Sequence, residues 1–255
     1  TANPVVRIHV FLSADTATLY VDTTGEPLYK RGYKPAAVEA PLKENLAAGI
    51  LRLTGWQPDE ALVDPMCGSG TFLIEAAQMA LDIAPGLGRG FAFERLRIHD
   101  RGAWAALRRA AEQRRKPARV LPIFGSDVVG EWVRRSRMNL DAAGLADCVR
   151  LDRADVLERT PPAAAGVMVA NPPYGVRIGE AEELLAFYPR LGDALKQRWG
   201  GWRCYLFSAD PELPKRIGLK ASRRTPLFNG ALECRLFEYR MVAGSNRERT
   251  PRPQE

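Results

Sequence analysis

Hydrophobic and polar positions follow two regimes along this chain. Near the start, residues 5–11 and 17–22 read as two strands around the turn Ser13-Ala14-Asp15, with a second turn at Asp22-Thr23-Thr24-Gly25. A basic connector over 28–35 follows, and Ala40-Pro41 opens a helix running to about Leu53. From Glu60 short apolar runs alternate with amphipathic stretches: strands over 61–63, 120–124, 148–151, 166–170 and 204–208, and helices over 71–81, 129–143 and 182–199. That alternation predicts an α/β fold with a parallel sheet covered on both faces. A last strand over 232–241, reached from 216–224 through the turn Phe228-Asn229-Gly230, predicts a hairpin and an antiparallel edge strand. In a helix over 100–116, Ala103, Trp104, Leu107, Ala110 and Ala111 share the side expected to face the core. Leu184, Tyr188, Leu191, Leu195 and Trp199 form a second stripe, read as packing.

Composition narrows the class. With 46% apolar and 26% charged residues the chain can bury a core, which excludes collagen-like, coiled-coil and disordered readings. No apolar run approaches the roughly 20 residues that span a bilayer. Cysteines at 67, 148, 204 and 234 form no C-x-x-C pair, and with only His9 and His99 no metal-ligand spacing can be assembled. The expectation is a reduced, cytoplasmic protein without a metal site. The opening Thr1 to Pro4 has neither an initiator Met nor a signal peptide, which reads as a piece of something longer. The net charge of +7 is concentrated: between Glu94 and Arg119 there are nine basic residues against three acidic ones. Such a segment suits a polyanion such as RNA, the alternative being a solvated helix face.

Four strand ends carry candidate chemistry. Asp64-Pro65-Met66-Cys67-Gly68-Ser69-Gly70-Thr71 occupies a strand-to-helix turn, where Gly68 and Gly70 allow a close backbone approach and the helix start offers free N–H groups to an anionic group. A nucleotide-like ligand follows. The third glycine of G-x-G-x-x-G is replaced by Leu73 and no P-loop exists, so neither a nicotinamide nor a nucleoside triphosphate is favoured. Asp64 can reach an ammonium group; Asp127, closing the next full strand, can accept two ribose hydroxyls; Asp155 can take an adenine amino group beside a wall formed by Val156. A capping role is the alternative for each later aspartate. Asn171-Pro172-Pro173-Tyr174 follows a buried strand. Its prolines lack backbone donors, so the Asn171 amide oxygen and the Pro172 carbonyl are two acceptors able to hold one planar amine, with Tyr174 as a stacking face.

On these residues the chain resembles the class I S-adenosylmethionine-dependent methyltransferases of the N-P-P-Y type. DPMCGSGTFLIEAA at 64–77, NPPYGVR at 171–177 and LFNGALEC at 227–234 are similar to the bacterial large-subunit ribosomal RNA guanine-N2-methyltransferases that carry an N-terminal THUMP domain. RGYK, APLKENLAA and PGLGRGFAFE extend the similarity from about Tyr29 to about Tyr239. The resemblance implies a Rossmann-like seven-stranded sheet, mostly parallel with an antiparallel last strand and helices on both faces. It implies that Asp64, Gly68 and Gly70 hold the methionine end of the cofactor, Asp127 the ribose and Asp155 the adenine, while Asn171, Pro172 and Tyr174 hold a flipped-out base. Residues 1–27 would be a remnant of the THUMP-type domain, 28–58 a linker and leading helix, 59–242 the methyltransferase domain and 243–255 a disordered tail. Adenine-N6 methylation, protein glutamine methylation and a non-catalytic RNA-binding role are the alternatives.

Overall fold

A computed structural model describes residues 6–33, 42–173 and 180–242, the side chains of 180–184 excepted. Strands β1 (Arg7–Ser13) and β2 (Thr16–Asp22) pair antiparallel as a separate ribbon. Helix α1 (Glu44–Thr54) then leads to β3 (Leu62–Asp64), α2 (Thr71–Ala80), α3 (Arg101–Arg114), β4 (Ile123–Asp127), α4 (Gly130–Ala142), β5 (Arg150–Arg153), β6 (Gly166–Ala170), α5 (Glu180–Arg198), β7 (Trp202–Ser208), the short α6 (Leu213–Arg216), β8 (Arg223–Asn229) and β9 (Leu232–Arg240).

Seven of these strands form one sheet in the order β5-β4-β3-β6-β7-β9-β8. Pairings from β5 to β7 are parallel, and β9 is antiparallel to both neighbours. The last strand is therefore antiparallel as expected, but it is not the edge: β8 takes that place. Pro226 explains why, because a residue without an N–H is tolerated at an edge and costs a ladder bond inside a sheet. The hairpin arm anticipated from Arg216 starts later, at Arg223, since 213–216 form α6.

Each sheet face has its own core. Ile50 and Leu51 of α1, Leu73 and Ile74 of α2, and Leu140 of α4 pack against Leu62, Ile123 and Val169 on one face. Tyr188, Leu191, Leu195 and Trp199 of α5 cover Met168, Leu206 and Phe237 on the other, so the described part of the expected stripe does pack. Helices on both faces follow from the crossover direction changing between β3 and β6, which also opens a crevice at the carboxyl ends of the strands there. Gly125 lets α2 sit tight on β4: a Cβ there would lie 2.3 Å from Leu73 Cδ1.

Two boundaries moved for identifiable reasons. The strand expected from Val120 starts at Ile123, because Pro122 has no N–H to give; its carbonyl instead accepts from Leu62 N at 2.9 Å. The strand expected from Cys148 starts at Arg150, since 146–148 form a 3₁₀ turn. The expected core side of the 100–116 helix is a larger correction. No residue of α3 is buried and Leu107 is 64% exposed. The helix touches the body through Trp104, which packs edge-on against Phe91 and Phe93, and through Arg108, whose Nη2 donates to Leu87 O at 2.9 Å.

The ribbon and the α2–β4 insertion are stitched together. Phe93 N donates to Thr23 O at 3.0 Å and Ala92 N to Thr24 O at 3.4 Å. Arg89 donates to the carbonyls of Thr24, Glu26 and Pro27 while its guanidinium lies over the Phe91 ring. Beyond this joint the ribbon is bare: every residue of β1 is exposed, and all but Asp22 of β2.

Candidate functional site

The 64–71 turn crosses the carboxyl edge between β3 and α2. Gly68 (φ 51°) and Gly70 (φ 82°) both sit in the left-handed region, where a side chain is strained. Helix α4 fastens the turn from beside it. Ser136 Oγ donates to Gly68 O at 2.7 Å and Asn139 Nδ2 to Ser69 O at 2.9 Å. A Cβ on Gly70 would lie 3.0 Å from Ser136 Oγ, a tight contact that adds to the strain of its positive φ. Neither Ser136 nor Asn139 was picked out from the sequence; their signal is two small polar residues at i, i+3 on the side of α4 that also carries buried Leu140.

Asp64 opens this turn and Asp127 lies against it. Asp64, 2% exposed, accepts Met66 N at 3.3 Å and has no ion-pair partner among the described residues. Burial holds its carboxyl well above the usual range, and the nearby Asp127 adds to that. Asp127 ends β4, beside the turn. Its Oδ2 accepts Gly68 N and its Oδ1 accepts Val129 N, both at 3.0 Å. Burial raises this carboxyl too, against those two hydrogen bonds. Each carboxylate oxygen retains a further lone pair, so Asp127 ties down the glycine turn and keeps capacity for two more donors. Asp155 follows β5; its Oδ1 accepts Leu157 N at 2.9 Å in a local turn, and no helix starts there for it to cap. Val156 is buried among Val63 and Met168, and Pro65 is buried while Met66, Gly68 and Ser69 are partly open. Cys67 and the other three cysteines are buried, and burial pushes the Cys67 thiol up, so no reactive thiolate is presented here.

Asn171 stands one residue beyond β6, the strand next to β3 in the sheet, so it shares the crevice with the glycine turn. Its Oδ1 is buried with no hydrogen-bond partner among the described residues. A buried acceptor without a donor is costly, and one at a crevice is an offer to a ligand's N–H. Pro172 is buried and Pro173 exposed. Tyr174 lies outside the described residues, as do the start of the helix expected at 40–41 and the 243–255 tail. The sequence reading did not anticipate Tyr188 Oη, which donates to Pro173 O at 2.6 Å.

The basic segment is elsewhere. Helix α2 starts at the carboxyl edge and β4 starts at the opposite edge, so the insertion joining them belongs to the amino edge, where Lys116 N bonds Leu81 O at 2.8 Å. Arg101, Arg109, Arg114 and Arg115 are exposed there.

The arrangement fits an adenosyl-methionine-shaped ligand on this chain's own evidence: a turn with two glycines at positive φ and, among the described residues, a buried carboxyl lacking a cation, a second carboxylate with spare acceptor capacity and an amide oxygen without a donor. Comparison with known proteins points the same way. Residues 31–238 match the family model described as RMKL-like, methyltransferase domain. A Synechocystis sp. protein bearing an RNA methyltransferase name is 41% identical over 239 residues, covering 93% of this chain and 62% of that protein. The ribosomal RNA large subunit methyltransferase K/L of Shewanella baltica is 43% identical over 239 residues, 92% of this chain and 34% of that protein. Among solved structures, SMU.472, described as a methyltransferase and complexed with SAH, superposes with a TM-score of 0.85 at 36% identity, over 92% of this chain and 62% of its own. The chain thus spans under two thirds of each of these relatives.

Proposed function

Because this chain belongs to the RMKL-like methyltransferase domain family, we propose that it transfers a methyl group from S-adenosylmethionine to the exocyclic amine of a flipped-out base in RNA, guanine N2 of large-subunit ribosomal RNA, in the cytoplasm. The observation that carries this reading is the buried Asn171 Oδ1, without a hydrogen-bond partner among the described residues, in the same crevice as the glycine turn. The cofactor, when bound, supplies an electrophilic methyl group. Asp64 would take its ammonium, the 65–70 backbone its methionyl portion, Asp127 the ribose hydroxyls, and Asp155 with Val156 the adenine. Asn171 Oδ1 and the Pro172 carbonyl would accept the two hydrogens of the target amine. Held that way the nitrogen lone pair is directed across the crevice, and positive charge growing on nitrogen is met by two fixed dipoles. Pro172 and Pro173 stiffen the backbone that presents these acceptors, and Tyr174 would stack on the base.

Residues 1–27 fit the closing strands of a THUMP-type domain, because the β1–β2 ribbon exposes apolar side chains on both faces and a lone hairpin is marginal in water. The basic 94–119 segment would hold RNA away from the reacting base. Asn171→Ala tests the central assignment: methyl transfer to ribosomal RNA falls about 100-fold or more, the scale for one aimed polar group, while cofactor affinity stays within about twofold. Equal turnover removes Asn171 from the reaction. Adenine in DNA or a protein glutamine would suit the same acceptor pair, and transfer of labelled methyl to RNA, DNA and protein fractions separates them.

A further inference from the structure

The Asn171-Pro172-Pro173 turn has an unusual anchoring problem. Neither proline has an N–H, so two of its three residues can accept hydrogen bonds but cannot donate them. Its two prolines can be hydrogen-bonded from outside only by a donor reaching their carbonyls. Tyr188, the ninth residue of α5, is that donor: its hydroxyl reaches Pro173 O at 2.6 Å. The oxygen it holds belongs to the peptide joining Pro173 to residue 174, so the bond fixes the orientation of the segment between the amide-bearing Asn171 and the stacking residue that follows.

The donor is well supported. Tyr188 is 2% exposed and packs with Leu191, Leu206 and Leu213, so its ring direction is set by the core. Burial, with Asp210 nearby, pushes its phenol up to about 12, opposed by Arg216, so it stays a donor throughout the neutral range. Asp210 is itself fixed, its Oδ2 3.0 Å from Arg216 Nε and its Oδ1 accepting Glu212 N at 2.9 Å, which leaves Pro173 O as the acceptor this hydroxyl uses.

We infer that Tyr188 is a positioning residue for methyl transfer: through the Pro173 carbonyl it aims the Asn171–Pro172 acceptor pair, touching neither cofactor nor target base. This rests on the amine-methylating role proposed above for Asn171. Because the hydroxyl acts on orientation of the acceptors and the cofactor is held across the crevice by other elements, its loss should lower turnover and spare cofactor binding.

The test compares wild type, Tyr188→Phe, and a protein with 3-fluorotyrosine at 188, whose more acidic phenol is a stronger donor in the same space. Expected for Tyr188→Phe is a turnover loss of about tenfold, the scale of one neutral hydrogen bond, with KM, calorimetric cofactor affinity and melting temperature near wild type. The fluorinated protein, which keeps the hydroxyl, keeps wild-type turnover or exceeds it; an effect of ring packing alone would leave Tyr188→Phe, which keeps the ring, at wild-type turnover as well. Unchanged turnover in Tyr188→Phe overturns the inference, and so does a fluorinated protein as slow as the Phe variant. If Tyr188→Phe unfolds, fluorotyrosines of graded phenol acidity at 188 decide: turnover that changes with donor strength supports the inference, and turnover independent of it overturns the inference. Wild type without cofactor affinity or methyl transfer would instead defeat the parent reading.

Discussion

Ser136 on α4 donates its hydroxyl to the carbonyl of Gly68 at 2.7 Å, and the same oxygen lies 3.0 Å from where a Cβ on residue 70 would sit. One hydroxyl thus both holds the glycine turn and limits what the turn can contain. Ser136→Ala leaves the Gly68 carbonyl without this donor. The expected loss is about 1 kcal/mol of stability and a several-fold weaker cofactor affinity, read by thermal melting and calorimetry. Gly70→Ala is more damaging, because it combines a Cβ at positive φ with displacement of Ser136; a loss of about 2 kcal/mol is expected, from the left-handed penalty of roughly 1–2 kcal/mol plus crowding.

Asp127 bridges the turn and the end of β4. Asp127→Asn preserves size, but the amide can orient only one acceptor oxygen, so either the Gly68 or the Val129 N–H loses its partner. Cofactor affinity should fall about tenfold or more, the scale of a hydrogen bond to a charged group, with turnover at saturating cofactor much less affected. Unchanged calorimetric affinity would remove Asp127 from the cofactor site.

Asp64 predicts a pH signature. Its carboxyl titrates above the ordinary value of 3.8 in the folded chain because it is buried. A raised folded value means the native state binds the proton more tightly than the unfolded chain. The associated stability is full below 3.8 and is lost as pH rises through the elevated titration. Ligand binding runs the other way: an ammonium partner needs the ionised carboxylate, so affinity for S-adenosylmethionine rises with pH across the same window and binding releases a proton. Calorimetry in buffers of different ionisation enthalpy reads that proton directly, and Asp64→Asn abolishes both effects.

Arg89 holds three backbone carbonyls of the 24–27 segment. Arg89→Ala should speed hydrogen exchange at the Ala92 and Phe93 amides, which bond Thr24 and Thr23, by tenfold or more, consistent with the loss of charge-assisted bonds. Cofactor affinity is expected to stay unchanged, because this joint contacts neither the glycine turn nor Asn171.

The βαβ rhythm, the glycine turn and the strand-end acids were legible because each is a local pattern: period two or 3.6, or a fixed offset from a strand. Features set by neighbours distant in the chain were not. Ser136 and Asn139 reach Gly68 and Ser69 across 68 and 70 positions, and nothing near them marks the partner. The spacing of Tyr188 predicts packing, which it does, but the bond from its hydroxyl to Pro173 O exists only once α5 lies beside the proline turn. Leu107 and its neighbours have helical spacing without a core to face, because periodicity shows that a helix has an apolar side and not that anything covers it. Pro226 was the overlooked clue to strand order: a chain that places proline inside a strand is naming that strand as the border.

The placement of α3 at the far edge from Asn171 has a consequence for the nucleic acid itself. If basic residues there grip the backbone while a base reacts at the other rim, nucleotides shielded from cleavage reagents should fall into two separated tracts. A minimal oligonucleotide reaching only one rim would then be a poor mimic of the natural target, and footprint length rather than sequence would set how well a truncated RNA competes.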